Sequence, residues 1–123
     1  PLTPALDLLS PLEGAEAGAQ GAAFLRKQNL AAEPIAIIAT GDLIALGLMR
    51  KLGEQGLTIP HDVAVASYDD LPVAALFRPS LTTLRQPTRE LAAAAMAIVT
   101  GDAPPDPVLL RGELIVRESS ARL

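Results

Sequence analysis

Two adjacent carboxylates, Asp69 and Asp70, stand at the end of an apolar segment, residues 63–68. Paired carboxylates can serve as the general acid and base of an enzyme. A single carboxylate can also bind a ligand, because its oxygens accept hydrogen bonds from hydroxyl or N–H groups. Neighbouring strand residues point to opposite faces of a sheet, so the two groups are not expected to converge on one substrate. The residues alone leave Asp69 two roles, a ligand contact or a turn residue, and favour the turn role for Asp70.

Other reactive groups are scarce in the sequence. It contains no cysteine, which excludes a disulfide, a thiol nucleophile and a thiolate metal site. It contains one histidine, His61, so we expect no zinc site and no nucleophile–base pair. We therefore expect no catalytic residue, no metal ion and no cofactor.

Charge and hydropathy limit the partners of the chain. The formal net charge is −4, whereas a nucleic-acid-binding surface needs clustered lysine and arginine. No apolar run approaches the ~18 residues of a membrane span, so we expect no membrane partner. The 123 residues suffice for one domain, and with 2% aromatic residues its core must be aliphatic.

The elements that would position Asp69 follow from hydrophobic patterns. The continuous apolar run Ile35–Ala39 predicts a strand buried on both faces, as in a parallel sheet. The patterns further predict helices at Glu13–Gln28, Leu43–Gln55 and Thr88–Thr100, a helical turn at Val73–Phe77, strands or extended segments at Leu6–Leu9, Val63–Tyr68, Leu81–Leu84, Val108–Leu110 and Glu113–Arg117, and a loop at Asn29–Glu33.

Two helices carry surfaces of special interest. In Leu43–Gln55 we expect Asp42 to be the N-cap, and Leu43 and Leu46 to lie on the outer face, where a partner could bind. In Glu13–Gln28, glycines recur on one face, and such a stripe is tolerable where a helix packs very closely against a sheet. A frayed, partly solvated helix is the alternative for that segment. The glycines on this face of the predicted helix are Gly14, Gly18 and Gly21.

Three blocks, in this order, carry a resemblance to a known family: AIIATGDLIALGLMRKLGEQGLTIPHDVAVASYDD, RPSLTTLRQPTRELAAAAM and ELIVRESSA. Together they resemble the carboxyl-terminal part of bacterial transcriptional regulators of the lactose-repressor (LacI/GalR) family, over most of residues 33–121. The resemblance implies an α/β fold, a three-layer Rossmann-like sandwich with a parallel sheet. This would be the second subdomain of a periplasmic-binding-protein-like core. It also implies that residues 1–87 and 106–123 belong mainly to that subdomain. Residues 88–105 would be a helix and loop of the first subdomain.

The resemblance also implies site residues. Asp69 matches the position whose carboxylate contacts the effector. Gly41 matches a ligand-touching position that is often Asn in sugar-responsive members, and as glycine it lacks that hydrogen bond. Leu46 and Phe77 match positions buried between the two subunits of a dimer, and we add Leu43 to this interface from its place on the helix.

The resemblance therefore implies the effector-binding and dimerisation region of a LacI-type regulator. Such a protein is cytoplasmic, forms a homodimer, senses a small polar metabolite such as a sugar, and binds operator DNA through a helix-turn-helix headpiece absent from this chain. Because the chain begins at Pro1 without a methionine, we expect it to be part of a longer protein. One alternative is an extracytoplasmic sugar-binding protein of a transporter. A further one is a small α/β enzyme that uses Asp69 or Asp70.

Overall fold

The computed structural model describes residues 14–27 and 35–121. The predicted extended segment Leu6–Leu9 and the predicted loop Asn29–Glu33 lie outside these residues. The elements follow in the order α1 (Gly14–Lys27), β1 (Ile35–Ile38), α2 (Asp42–Glu54), β2 (Val63–Asp69), α3 (Pro72–Leu76), β3 (Thr82–Arg85), α4 (Thr88–Thr100) and β4 (Glu113–Ile115).

The strands form one sheet in the order β1-β2-β3-β4. β1, β2 and β3 are parallel, with Ile37 opposite Val65 and Ser67 opposite Thr83. β4 pairs antiparallel with β3, placing Glu113 opposite Arg85. The α/β class is confirmed, and the sheet is parallel except for its β4 edge. The carboxyl ends of the three parallel strands therefore lie at one edge of the sheet.

The hydrophobic core lies between the sheet and α2. It joins Val63 and Val65 of β2 to Leu48 and Leu52 of α2. The prediction that Ile35–Ala39 is buried on both faces is wrong for this chain. Side chains of β1 alternate between half-buried and exposed, and Ile38 is 84% exposed. Among the described helices, α2 packs on the sheet at β2, and α1 packs on α2.

α1 packs on α2 at a distance that only glycine allows. A Cβ on Gly18 would lie 2.0 Å from the carbonyl oxygen of Ile44, and a Cβ on Gly47 would lie 2.2 Å from that of Ala15. Of the predicted glycine stripe, Gly18 makes this close contact, and its partner is a helix and not the sheet, whereas a Cβ on Gly14 would lie 3.9 Å from its nearest neighbour. This contact also covers Leu46, which is 8% exposed, so the prediction of an exposed outer face is wrong there.

α4 has the predicted bounds but packs differently from the other long helices. None of its residues is buried, and Val99 is 80% exposed. The predicted strand Val108–Leu110 is absent: these residues form neither helix nor strand, and Leu109 is 94% exposed. An extended segment without a neighbour to take its backbone hydrogen bonds does not become part of a sheet.

The residues after β4 close the sheet. Ser119 is fully buried, and its hydroxyl accepts a hydrogen bond from the backbone N–H of Thr82 and donates one to the carbonyl of Val65. Its carbonyl in turn accepts the N–H of Val65 over 2.8 Å. Ser119 thus bridges β2 and β3 near their amino ends. No described helix is long and apolar enough to cross a membrane.

Candidate functional site

Three residues that follow or end parallel strands meet at the carboxyl edge of the sheet. Gly41 follows β1, Asp69 ends β2, and Gln86 follows β3. The side-chain amide of Gln86 donates a hydrogen bond to Oδ1 of Asp69 over 2.6 Å. A Cβ on Gly41 would lie 3.3 Å from Oδ2 of the same carboxylate. The two residues predicted to contact an effector, Asp69 and Gly41, are thus neighbours in the structure.

The absence of a side chain at Gly41 affects the second oxygen of Asp69. Gly41 is extended, with φ −165°, which any residue adopts, so its backbone does not require glycine. Any longer side chain, however, would begin within van der Waals contact of Oδ2. Asp69 itself is half-buried. Glycine therefore leaves space beside a carboxylate oxygen that can accept a hydrogen bond.

The backbone turns sharply at the two carboxylates. Asp69 has φ +128° and Asp70 has φ +58°, and these are the only non-glycine residues with positive φ in the described ranges. Asp is among the residues that tolerate the left-handed region, but such conformations persist only where the surroundings hold them. The pair therefore forms a constrained corner at the end of β2.

Asp70 is a structural anion. Its side chain is 7% exposed and accepts hydrogen bonds from Arg85 Nε and Arg117 Nη2, each over 2.7 Å. Arg85 also pairs with Glu113 of β4, and Arg117 donates to the carbonyl of Leu81. Burial acts to raise the pKa of Asp70, but the hydrogen bonds and charges of Arg117 and Arg85 outweigh it and hold the pKa below its usual value. Asp70 stays ionised and links the end of β2 to Arg85 of β3 and to Arg117 after β4.

The predicted role of Asp42 as an N-cap is wrong. The cap position is Gly41, and α2 begins at Asp42 with no side-chain cap hydrogen bond. The Asp42 carboxylate is fully buried and points instead to the sheet. It accepts hydrogen bonds from the hydroxyls of Ser67 and Thr83 and from the backbone N–H of Leu71. A buried carboxylate needs such donors, and here they come from β2, β3 and the start of α3.

The predicted dimer residues divide into two groups. Leu46 and Phe77 line one groove of about 390 Å³, between α1, α2 and the end of α3. Its lining is mostly apolar and also includes the charged residues Glu16, Arg50 and Lys51. Leu43 is 52% exposed and does not line this groove. The structure brings together Leu46 and Phe77, but not Leu43.

The described residues hold no cluster of three or more histidine, cysteine or acidic side chains that could bind a metal ion. His61 is exposed in the loop before β2. The carboxylates of Asp69 and Asp70 bind different partners, as expected from the opposite directions of neighbouring strand residues.

Sequence reasoning missed several residues of this edge, because their roles depend on contacts between distant segments. Gln86 lies in the LTTLRQP block, but nothing in that block indicates its contact with Asp69. Ser67 and Thr83 are polar residues within apolar strands, and that pattern was a signal for a buried polar partner. Ser119 lies in a polar segment after β4 that gives no signal of burial, yet it is fully buried.

Comparisons with known proteins agree with this geometry. A family model described as a periplasmic binding protein-like domain matches residues 6–120. The HTH-type transcriptional repressor PurR of Vibrio atlanticus is 42% identical over 66 residues, which are 54% of this chain and 20% of that protein. A LacI family transcriptional regulator from Arthrobacter sp. FB24, solved in complex with lactose, has a TM-score of 0.74 at 30% identity, covering 89% of this chain and 42% of that one. A dimeric Lac repressor has a TM-score of 0.75 at 29% identity, covering 87% and 40%.

The chain belongs to the periplasmic binding protein-like domain family. Within it, the sequence and structural relatives are LacI/GalR-type transcriptional regulators, and the chain corresponds to their carboxyl-terminal effector-binding region. The chain spans about a fifth of the length of the curated relative reported above, 20% of the Vibrio repressor.

Proposed function

We propose that this chain is the part of a LacI-type repressor that binds a small polar effector, such as a sugar, and forms the dimer. The observation that carries the proposal is the Asp69 carboxylate at the carboxyl edge of the parallel strands. It has Gln86 on one oxygen and the space left by Gly41 beside the other. Ligands of open α/β sheets bind at this edge.

The acceptor chemistry of Asp69 supports a polar ligand. Oδ1 already accepts from Gln86, whereas Oδ2 faces the gap beside Gly41. A carboxylate forms charge-assisted hydrogen bonds with hydroxyl groups, which saccharides carry in number. The regulator from Arthrobacter was solved in complex with lactose. In our proposal Asp69 provides one half of the pocket, and residues of the first subdomain provide the other.

The dimer and operator DNA belong to the same proposal. Leu46 and Phe77 line an apolar groove that suits an interface between copies of the protein, and in our proposal Leu43, which is exposed, contacts the partner outside this groove. Residues 88–105 would pack against the first subdomain, and the exposure of α4 supports this division. The effector would favour one arrangement of the subdomains and thereby change operator affinity of a headpiece outside this chain. Such a regulator acts in the cytoplasm and catalyses no reaction.

The test is calorimetric titration of the longer regulator, which contains both halves of the proposed pocket, with neutral mono- and disaccharides, lactose among them. Asp69→Asn should weaken the binding of any saccharide that binds by about 10- to 100-fold, since a hydrogen bond to a charged group contributes ~1.5–3 kcal/mol. Asp106→Asn, a change at an exposed carboxylate far along the chain, serves as the charge-matched control and should leave affinity unchanged.

Three outcomes would count against the proposal. Binding that is equal in Asp69→Asn and in the unmodified protein would remove Asp69 from the site. If the protein hydrolyses a saccharide and this activity is lost in Asp69→Asn, the alternative of a small α/β enzyme would be favoured. A full panel without binding would exclude neutral saccharides as the effector class.

A further inference from the structure

The buried Asp42 carboxylate has no role in the site proposed above, yet its partners surround that site. Ser67 lies two residues before Asp69, and Leu71 lies two residues after it. Asp42 accepts a hydrogen bond from each, so it holds the chain on both sides of the corner. The Leu71 contact is 2.6 Å long.

A third contact reaches the corner itself. The Thr83 hydroxyl donates to Oδ1 of Asp42 over 2.8 Å and accepts the backbone N–H of Asp70 over 3.2 Å. A hydroxyl has one hydrogen. When the Thr83 hydroxyl donates that hydrogen to Asp42, the lone pairs of its oxygen are directed toward the N–H of Asp70. Thr83 therefore transmits the position of Asp42 to the second residue of the corner.

We propose that Asp42 is a positioning residue for Asp69: its carboxylate holds the 67–71 segment in the positive-φ conformation that turns Asp69 toward Gln86 and Gly41. The inference rests on the proposed function only in taking Asp69 as the effector contact.

The backbone conformation is the reason that a positioning residue is needed. φ values of +128° and +58° at consecutive non-glycine residues are unfavourable unless several contacts impose them. Asp42, fully buried at the start of α2, provides three such contacts from one rigid point. Without them, the corner can relax to negative φ, and the Asp69 carboxylate then leaves Gln86.

The test observes the side-chain amide of Gln86 by ¹H–¹⁵N NMR, because that group donates to Asp69 and requires no effector. Asp69→Gly, which keeps a residue suited to positive φ, provides the resonance of a Gln86 amide without its acceptor. In Asp42→Asn the Gln86 resonance should move at least half of the way to that reference. Thr83→Val, which removes the hydroxyl at nearly constant volume, should act in the same direction.

Leu52→Ala is the control for general destabilisation. Leu52 is fully buried in the same helix, ten residues from Asp42. Its substitution by alanine should leave the Gln86 resonance in place. If Asp42→Asn does not fold, Thr83→Val decides the result. An unmoved Gln86 resonance in Thr83→Val, or an equal shift in Leu52→Ala, would overturn the inference. Neither outcome depends on effector binding, so the proposed function can fail or succeed separately.

Discussion

Arg117, two residues beyond β4, donates a hydrogen bond to Asp70 at the end of β2 over 2.7 Å, across 47 positions of sequence. The Arg117 side chain is 17% exposed, and that of Asp70 is 7% exposed. The second partner of Asp70, Arg85, is 52% exposed. The two arginines thus bind one carboxylate from environments of different solvent access.

This difference predicts unequal effects of removing each arginine. Arg117→Met should lower the free energy of unfolding by about 3 kcal/mol, because it leaves a buried charge less compensated and frees the Leu81 carbonyl. Arg85→Met should cost at most about 1 kcal/mol, because exposed ion pairs contribute little. Urea denaturation at neutral pH measures both. Equal losses would show that solvent access does not distinguish the two pairs.

The lowered pKa of Asp70 predicts a pH dependence of stability. A carboxyl whose pKa is lower in the folded state binds protons more readily when unfolded. Its contribution is therefore complete above the unfolded pKa, about 3.9, and is lost as the pH falls through the folded pKa. Asp70→Asn should be less stable than the unmodified protein at pH 6, and the difference should shrink as the pH falls below about 4. A difference that stays constant down to pH 2 would contradict this.

The contact between α1 and α2 predicts opposite effects at two glycines. In Gly18→Ala the new Cβ would meet backbone atoms of Ile44 and Leu48, so the helices must separate, at a cost of about 2 kcal/mol or more. Gly53→Ala, in α2 with no atom within 4 Å of its Cβ, should be neutral or stabilise by up to ~1 kcal/mol. Thermal unfolding followed by circular dichroism compares them. Similar tolerance at both positions would argue against the close helix contact.

The groove between α1, α2 and α3 predicts where self-association is sensitive. Phe77→Ala removes a half-buried aromatic from the groove and should weaken the dimer about tenfold or more. Leu76→Ala alters an exposed neighbour that does not line the groove and serves as the matched control. Sedimentation equilibrium at micromolar concentration measures both dissociation constants. A protein that is strictly monomeric there would contradict the proposed interface.

Periodicity predicted the elements well, because each depends mainly on its own residues. The bounds of α4 are those predicted, those of α1 and α2 differ by one residue at each end, and β2 extends one residue further than predicted. The errors concern which neighbour covers a surface. Ile38 and Leu109 are as apolar as core residues, yet nothing among the described residues covers them. The helical periodicity that places Leu46 on the outer face of α2 contains no information about α1.

The candidate site was predictable in type but not in detail. Asp69 could be identified from its position after a strand and from the resemblance to a family. Its neighbours Gly41 and Gln86 follow two different strands, and the sequence indicates a role only for Gly41. The role of Asp42 could not be predicted, because its partners are 25 to 41 residues away. A capping preference is a local property, and here tertiary contacts override it.

The order of synthesis determines when the bridge made by Ser119 can form. Its hydroxyl reaches the carbonyl of Val65, which is 54 positions earlier. While the ribosome makes the chain, β2 and β3 emerge well before this serine does. Contacts of such long sequence separation form late and slow folding. We therefore expect the nascent sheet to gain its full protection from proteases only after Ser119 has left the ribosomal tunnel.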